Sequence, residues 1–154
     1  MLPGKEIDDR DPGRYFIDVR AIVFRENTVL LARECADGRW SVPGGWADVN
    51  SSPRESAERE VREETGLQVR ATRLLALHDK RKRDYPFQIP HAHKAFFLCE
   101  VIGGQLAQET LETTGTGFFE LDRLPPLSQD RITEKQPRHF VELAARQDLP
   151  TEFD

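Results

Sequence analysis

The segment Glu55 to Glu64, Glu-Ser-Ala-Glu-Arg-Glu-Val-Arg-Glu-Glu, places five carboxylates within ten residues. On a helix, Glu55 has Arg59 four residues on and Glu58 has Arg62, the favourable orientation for surface ion pairs. Glu60, Glu63 and Glu64 differ, because at 100° per residue they fall within an arc of about 100°, where like charges repel. Ala57 and Val61 lie beside that arc. Burying this apolar stripe therefore brings the trio to the edge of a core, where uncompensated charge costs more. A hard divalent cation, magnesium or manganese, would offset the repulsion, since both take carboxylate and carbonyl oxygens in near-octahedral geometry. The competing reading is a solvated acidic face, which accounts for most glutamate-rich helices.

Local signals define the helix that carries these groups. Ser52 stands as N-cap, Pro53 at the first helical position and Glu55 three residues past the cap, the pattern of a capping box. The helix is expected to run to about Thr65 and stop at Gly66. Before it, Val19 to Phe24 and Thr28 to Arg33 flank Arg25-Glu26-Asn27 as a hairpin, and Arg39 to Val42 reads as a short strand. Pro43 ends that strand, and a sharp loop is expected through Gly44 and Gly45. After the helix, Leu67 to Leu77, His93 to Val101 and Gly117 to Leu121 read as strands, with Ala95 to Leu98 in the core. Leu124 to Leu127 is a rigid connector. A last helix is expected to start near Thr133, whose spacing to Gln136 suits a capping box, with Phe140, Leu143 and Ala144 as its apolar face. The sum is an α+β chain, a mixed sheet carrying two main helices, with residues 1–13 a flexible segment and 14–154 one domain.

Composition narrows the function classes. A length of 154 residues suits one domain, and 32% charged residues suit a soluble globular protein. No apolar stretch is long enough to cross a bilayer, and Met1 to Gly13 lacks the apolar core of a signal peptide, so the cytoplasm is the expected compartment. Cys35 and Cys99 are too few for a disulfide framework or a zinc knuckle and read as small buried hydrophobes. A net charge of −5 argues against nucleic-acid partners, whereas a small anionic substrate fits if a metal supplies the positive charge. His91 and His93 alternate onto one strand face without a third ligand, which favours a pocket or surface role over zinc.

The spacing of Gly45, Arg59-Glu60-Val61, Glu63-Glu64 and Gly66-Leu67 resembles the Nudix box, matching eight of its nine constrained positions. The departure is Ser51, where the family pattern has its first glutamate. Trp40 to Asp48, Phe118-Phe119 and Leu124 to Ser128 are similar to a bacterial branch acting on ADP-ribose, CDP-choline or UDP-linked compounds, so the resemblance covers roughly Tyr15 to Thr133. Longer members of that branch carry an extra helical N-terminal segment; contacts made from it are expected to be missing or replaced here. The resemblance implies a Nudix-type α/β/α sandwich with a central mixed β-sheet.

It also implies a site. Glu60, Glu63 and Glu64, with the carbonyl of Gly45, would hold magnesium or manganese, and Glu60, Glu63 and Arg59 would serve catalysis, Arg59 by orienting the glutamates. A distal glutamate could accept the attacking water's proton, and Glu109 is ranked ahead of Glu112 because both precede the Phe118 strand. For substrate binding, Trp46 could stack on a base or ribose, Gly44 sits in the same turn, and Arg20 could meet a phosphate, since a buried arginine needs an anionic partner. Lys80 to Arg83 reads as a solvated loop, with steering of an anion as the other reading. The implied activity is hydrolysis of a nucleoside diphosphate derivative. A catalytically weak nucleotide sensor, or an enzyme for nucleoside triphosphates or dinucleoside polyphosphates, are the alternatives, and relatives of this kind are often homodimers.

Overall fold

The computed structural model describes residues 16–86 and 92–154. Two sheets and two helices share its interior. The first sheet has the order β5-β1-β7-β6-β9, formed by Gly44–Trp46, Phe16–Ile22, Ala92–Gly104, Leu67–Asp79 and Glu152–Phe153. It is mixed, because β1 runs parallel to β7 and β6 parallel to β9, while the other pairs are antiparallel. The second sheet pairs β2 (Phe24–Arg25), β4 (Trp40–Ser41) and β8 (Thr113–Glu120) with β3 (Thr28–Glu34).

Strand alternation decides what each face of the first sheet meets. Val19 and Ala21 turn toward helix α1 (Pro53–Thr65), clustering with Ala57 and Val61 respectively. Ile22, Leu75 and Phe96 turn the other way, to Phe140 and Leu143 of helix α2 (Gln136–Ala145). Phe96 and Phe140 pack with ring centroids 4.4 Å apart, and burial of each such ring stabilises the fold by about 2–3 kcal/mol. The helices thus lie on opposite faces of a mixed sheet, the expected α/β/α sandwich. Asp18 and Arg20 share the Ile22 face, nearer the start of the strand, where the core gives way to a cleft.

Several local expectations need correction. Gly44–Trp46 is a short strand on the edge of β1, with Gly44 opposite Arg20 and Trp46 opposite Asp18, where a loop was expected. The first strand breaks after Ile22, so the hairpin partner of β3 is the separate β2, joined through Glu26 at φ 54°. Helix α2 begins at Gln136 rather than near Thr133, although Gln136 Oε1 does accept the Thr133 N–H at 2.9 Å. The Glu55–Arg59 and Glu58–Arg62 pairs do not form: Glu58 takes Arg54 at 3.2 Å and the Ala71 N–H at 3.0 Å. Cys99 is buried, whereas Cys35 is exposed. Strand β9 went unforeseen; Glu152 holds it in place by meeting His78 at 2.8 Å and His139 at 3.0 Å.

Candidate active site

Helix α1 begins where Ser52 Oγ accepts the Glu55 N–H at 3.1 Å, and it ends at Gly66, whose φ of 82° only glycine adopts without strain. Those two signals set which way its carboxylates point. Glu64 is 4% exposed and accepts the Gly44 N–H at 2.8 Å, tying the helix to β5. Glu60 is half-buried one turn earlier, against Gly45; a Cβ on Gly45 would stand 3.3 Å from the Glu60 carboxylate. Gly44 is still tighter, since a Cβ there would collide with the Val19 carbonyl at 2.0 Å. Glycine at 44 lets β5 pack closely on β1, and glycine at 45 lets the strand lie directly over Glu60.

The third carboxylate of the cluster comes from elsewhere in the chain. One carboxylate oxygen each of Glu60, Glu64 and Glu112 lie within 4.8 Å of one another. Glu112 reaches α1 because its neighbour Thr113, buried at the start of β8, donates its hydroxyl to the Glu64 carbonyl at 2.8 Å. Glu109, ranked first from the sequence, is exposed and outside this group. Glu63 is also outside it, an exposed side chain whose carboxylate lies 3.9 Å from Arg59 Nε. Arg59 also donates to Ser51 Oγ at 3.2 Å, so the residue that departs from the family pattern still touches the arginine.

Electrostatics follow from this crowding. Burial, then the charges of Glu112 and Glu63, push Glu60 up to about 7, with Arg59 and Arg20 opposing. Burial pushes Glu64 up to about 9 against the pull of Arg20, and Glu34 and Glu60 add to the rise. Three like acids at a glycine turn form an all-oxygen donor set that fits a hard divalent cation, and the missing Cβ on Gly45 leaves space beside Glu60.

A cleft of about 520 Å³ opens beside Gly44, Gly45 and Trp46. Its floor carries Arg20, whose Nε donates to Asp18 at 3.0 Å and whose Nη1 donates to the Val42 carbonyl at 3.1 Å. Nη2 has no hydrogen bond among the described residues. Asp18 also accepts from Lys94 Nζ at 2.7 Å, as the β1–β7 register dictates by setting the two opposite each other. Lys94 is fully buried beneath the Tyr85 ring; burial draws its amine down to about 8 although Asp18 opposes. Burial pushes Asp18 up, yet Arg20 and Lys94 together outweigh it and hold the carboxyl below its ordinary value. Trp46 is 49% exposed at the rim and stacks on Phe16 at 4.3 Å. From the basic run, Lys80 lines the cleft, whereas Arg81 and Arg83 pair with Asp79 and Asp154. His91 lies outside the described residues, and His93 sits 3.9 Å from Asp79.

Sequence reasoning passed over Asp18, Glu34, Lys94, Arg131 and Thr113. For Lys94 a signal was present: a lysine beside Ala95-Phe96-Phe97 poses the same demand for an anion that singled out Arg20.

Comparison with known proteins agrees with this geometry. The NUDIX domain model matches residues 14–143. YjhB of Bacillus subtilis (strain 168) is 42% identical over 137 residues, 89% of this chain and 65% of that protein, so the chain spans just under two thirds of it. An ADP-ribose pyrophosphatase from Streptococcus suis 89-1591 superposes with a TM-score of 0.81 at 41% identity, covering 90% of this chain and 98% of that one. A UDP-X diphosphatase gives a TM-score of 0.82 at 32% identity over 92% of this chain and 68% of that one. What the spacing from Gly45 to Leu67 pointed to holds across the whole fold, and the chain belongs to the NUDIX family.

Proposed function

We propose that this protein is a divalent-cation-dependent pyrophosphohydrolase that cleaves the diphosphate of a sugar-linked nucleoside diphosphate, with ADP-ribose the leading substrate. The observation that carries this reading is the convergence of Glu60, Glu64 and Glu112 beside Gly44 and Gly45 of β5, which also line a cleft floored by Arg20. ADP-ribose is placed first because the Streptococcus suis relative of nearly equal length is an ADP-ribose pyrophosphatase. Magnesium or manganese, held by Glu60, Glu64 and the Gly45 carbonyl with Glu63 and Glu112 in reserve, would neutralise the diphosphate and activate water for in-line attack.

The chain's own residues supply the rest. Arg20 aims a fixed guanidinium at the diphosphate, and its bonds to Asp18 and Val42 mean that little reorganisation is needed when substrate arrives. Arg59 orients Glu63 and the start of the helix. Trp46 offers a face to the base. Glu112 or Glu60 accepts the proton of the attacking water. The cytoplasm is the compartment this reading names, consistent with an exposed free Cys35 in a reducing milieu, and a homodimer is its assembly.

The test is a panel of ADP-ribose, CDP-choline, UDP-sugars, nucleoside triphosphates and dinucleoside polyphosphates with added magnesium or manganese, products resolved by phosphorus NMR. AMP and ribose 5-phosphate from ADP-ribose, and no turnover in excess chelator, are expected. Tight nucleotide binding with no hydrolysis of any compound would instead identify a sensor.

A further inference from the structure

The wall of the cleft facing the glycine turn contains a carboxylate whose bonding is incomplete. Glu34, the last residue of β3, has a side chain only 13% exposed. Its Oε1 lies 4.0 Å from Arg20 Nη1 and 3.7 Å from Arg131 Nε, distances of ion pairing rather than hydrogen bonding. Among the described residues, no group donates a hydrogen bond to this carboxylate. Glu34 lines the cleft, so its carboxylate presents acceptor capacity there. Arg131 is held beside it: its Nη1 donates to Ser128 Oγ at 2.7 Å, and Asp37 and Asp130 stand at 3.6 and 3.5 Å.

Strand register gives this pair a place along the substrate. Trp46 lies opposite Asp18 and Gly44 opposite Arg20, two strand residues or roughly 7 Å further on. A base on Trp46 and a diphosphate at Arg20 and Gly45 direct the attached group toward Glu34 and Arg131. The chemistry there selects among attached groups. A quaternary ammonium calls for an aromatic cage, and Trp46 is the one aromatic side chain lining the cleft among the described residues. An acyl group calls for apolar walls. Alternating acids and bases, Asp18, Glu34 and Asp130 with Arg20, Lys80 and Arg131, instead offer paired acceptors and donors to adjacent hydroxyls.

We propose that Glu34 and Arg131 are specificity-determining residues that read the vicinal hydroxyls of the attached sugar, Glu34 accepting from them and Arg131 donating to them. This rests on the cleft being the site of a nucleoside diphosphate. The test measures binding of ADP-ribose and of the methyl ester of ADP, whose esterified terminal phosphate carries the same charge, by calorimetry in chelator, where no turnover intervenes, for the wild type, Glu34→Gln and Arg131→Met, with melting curves confirming that each variant folds. The two ligands share a nucleotide and differ in the sugar. The wild type should favour ADP-ribose, and each variant should reduce the ratio of ADP-ribose affinity to methyl-ester affinity by roughly 10- to 100-fold, as expected for lost hydrogen bonds to a charged group. Equal losses for both ligands, an unchanged ratio, or a wild type that does not prefer ADP-ribose would each overturn the proposal. Failure of the hydrolase reading looks different: the ratio behaves as expected, but adding magnesium or manganese produces no AMP.

Discussion

Two charged clusters lie on either side of strand β5 at Gly44 and Gly45 and solve burial in opposite ways. Asp18, Arg20 and Lys94 alternate in sign and share hydrogen bonds of 2.7 and 3.0 Å, so their charges offset one another without any ligand. Glu60, Glu64 and Glu112 are all acids and converge within 4.8 Å, and burial together with this crowding raises the Glu60 and Glu64 carboxyls above their ordinary value. The first cluster is a fixed platform. The second crowds like acids together, a repulsion that a hard divalent cation would offset.

The contrast can be broken from either side. Asp18→Asn leaves two buried cations without their carboxylate and should lower stability by about 3–5 kcal/mol in chemical denaturation, with Lys94→Met on top recovering part of the loss. Full stability of Asp18→Asn would mean the platform is not self-completing. Glu60→Gln and Glu64→Gln should each lower turnover by roughly 10²–10³-fold, the usual scale for removing one transition-state-stabilising group. Neither should lower the melting temperature of the metal-free protein, because each removes a member of a repulsive cluster; a wild-type rate for either variant would refute the site.

pH sharpens the same contrast. A carboxyl raised on folding binds more protons in the folded state than in the unfolded one, so stability falls as pH climbs from its ordinary value toward the raised one. Metal-free wild type should therefore lose stability relative to Glu64→Gln as pH rises from about 5 to 8, the interval below the Glu64 value of about 9. Asp18, lowered on folding, contributes with the opposite sign: its stabilisation is present above the ordinary aspartate value and is lost as acid protonates it. Denaturation midpoints against pH for the two proteins check this, and parallel curves would contradict it. The smallest effect is expected at the rim, where Trp46→Ala should raise KM by roughly 2- to 10-fold with little change in kcat, given the usual energy of an aromatic stack.

Much of the platform for these clusters was legible residue by residue. Ser52, Pro53 and Gly66 bound α1 because caps are local chemistry, and the apolar pair Ala57 and Val61 oriented it. Strand β5 was not legible, since Gly44-Gly45 has no strand propensity and is held there by pairing with β1 far away in sequence. That Glu112 rather than Glu109 joins the acidic group turns on a tertiary bond, Thr113 to the Glu64 carbonyl, which no periodicity announces. The Glu58–Arg62 pair gave way because Glu58 is drawn to Arg54 and the Ala71 N–H, the second of these a contact that exists only once β6 packs on the helix. Two-residue β9 has too little sequence to carry a pattern at all.

The central claim is that the acids around the glycine turn take up a divalent ion. Anomalous scattering from crystals soaked in manganese tests it most directly. The account predicts a peak between the Gly45 carbonyl and the carboxylates of Glu60 and Glu64, lost in Glu64→Gln. A manganese peak confined to other parts of the surface, or one that persists at full height in that variant, would contradict it.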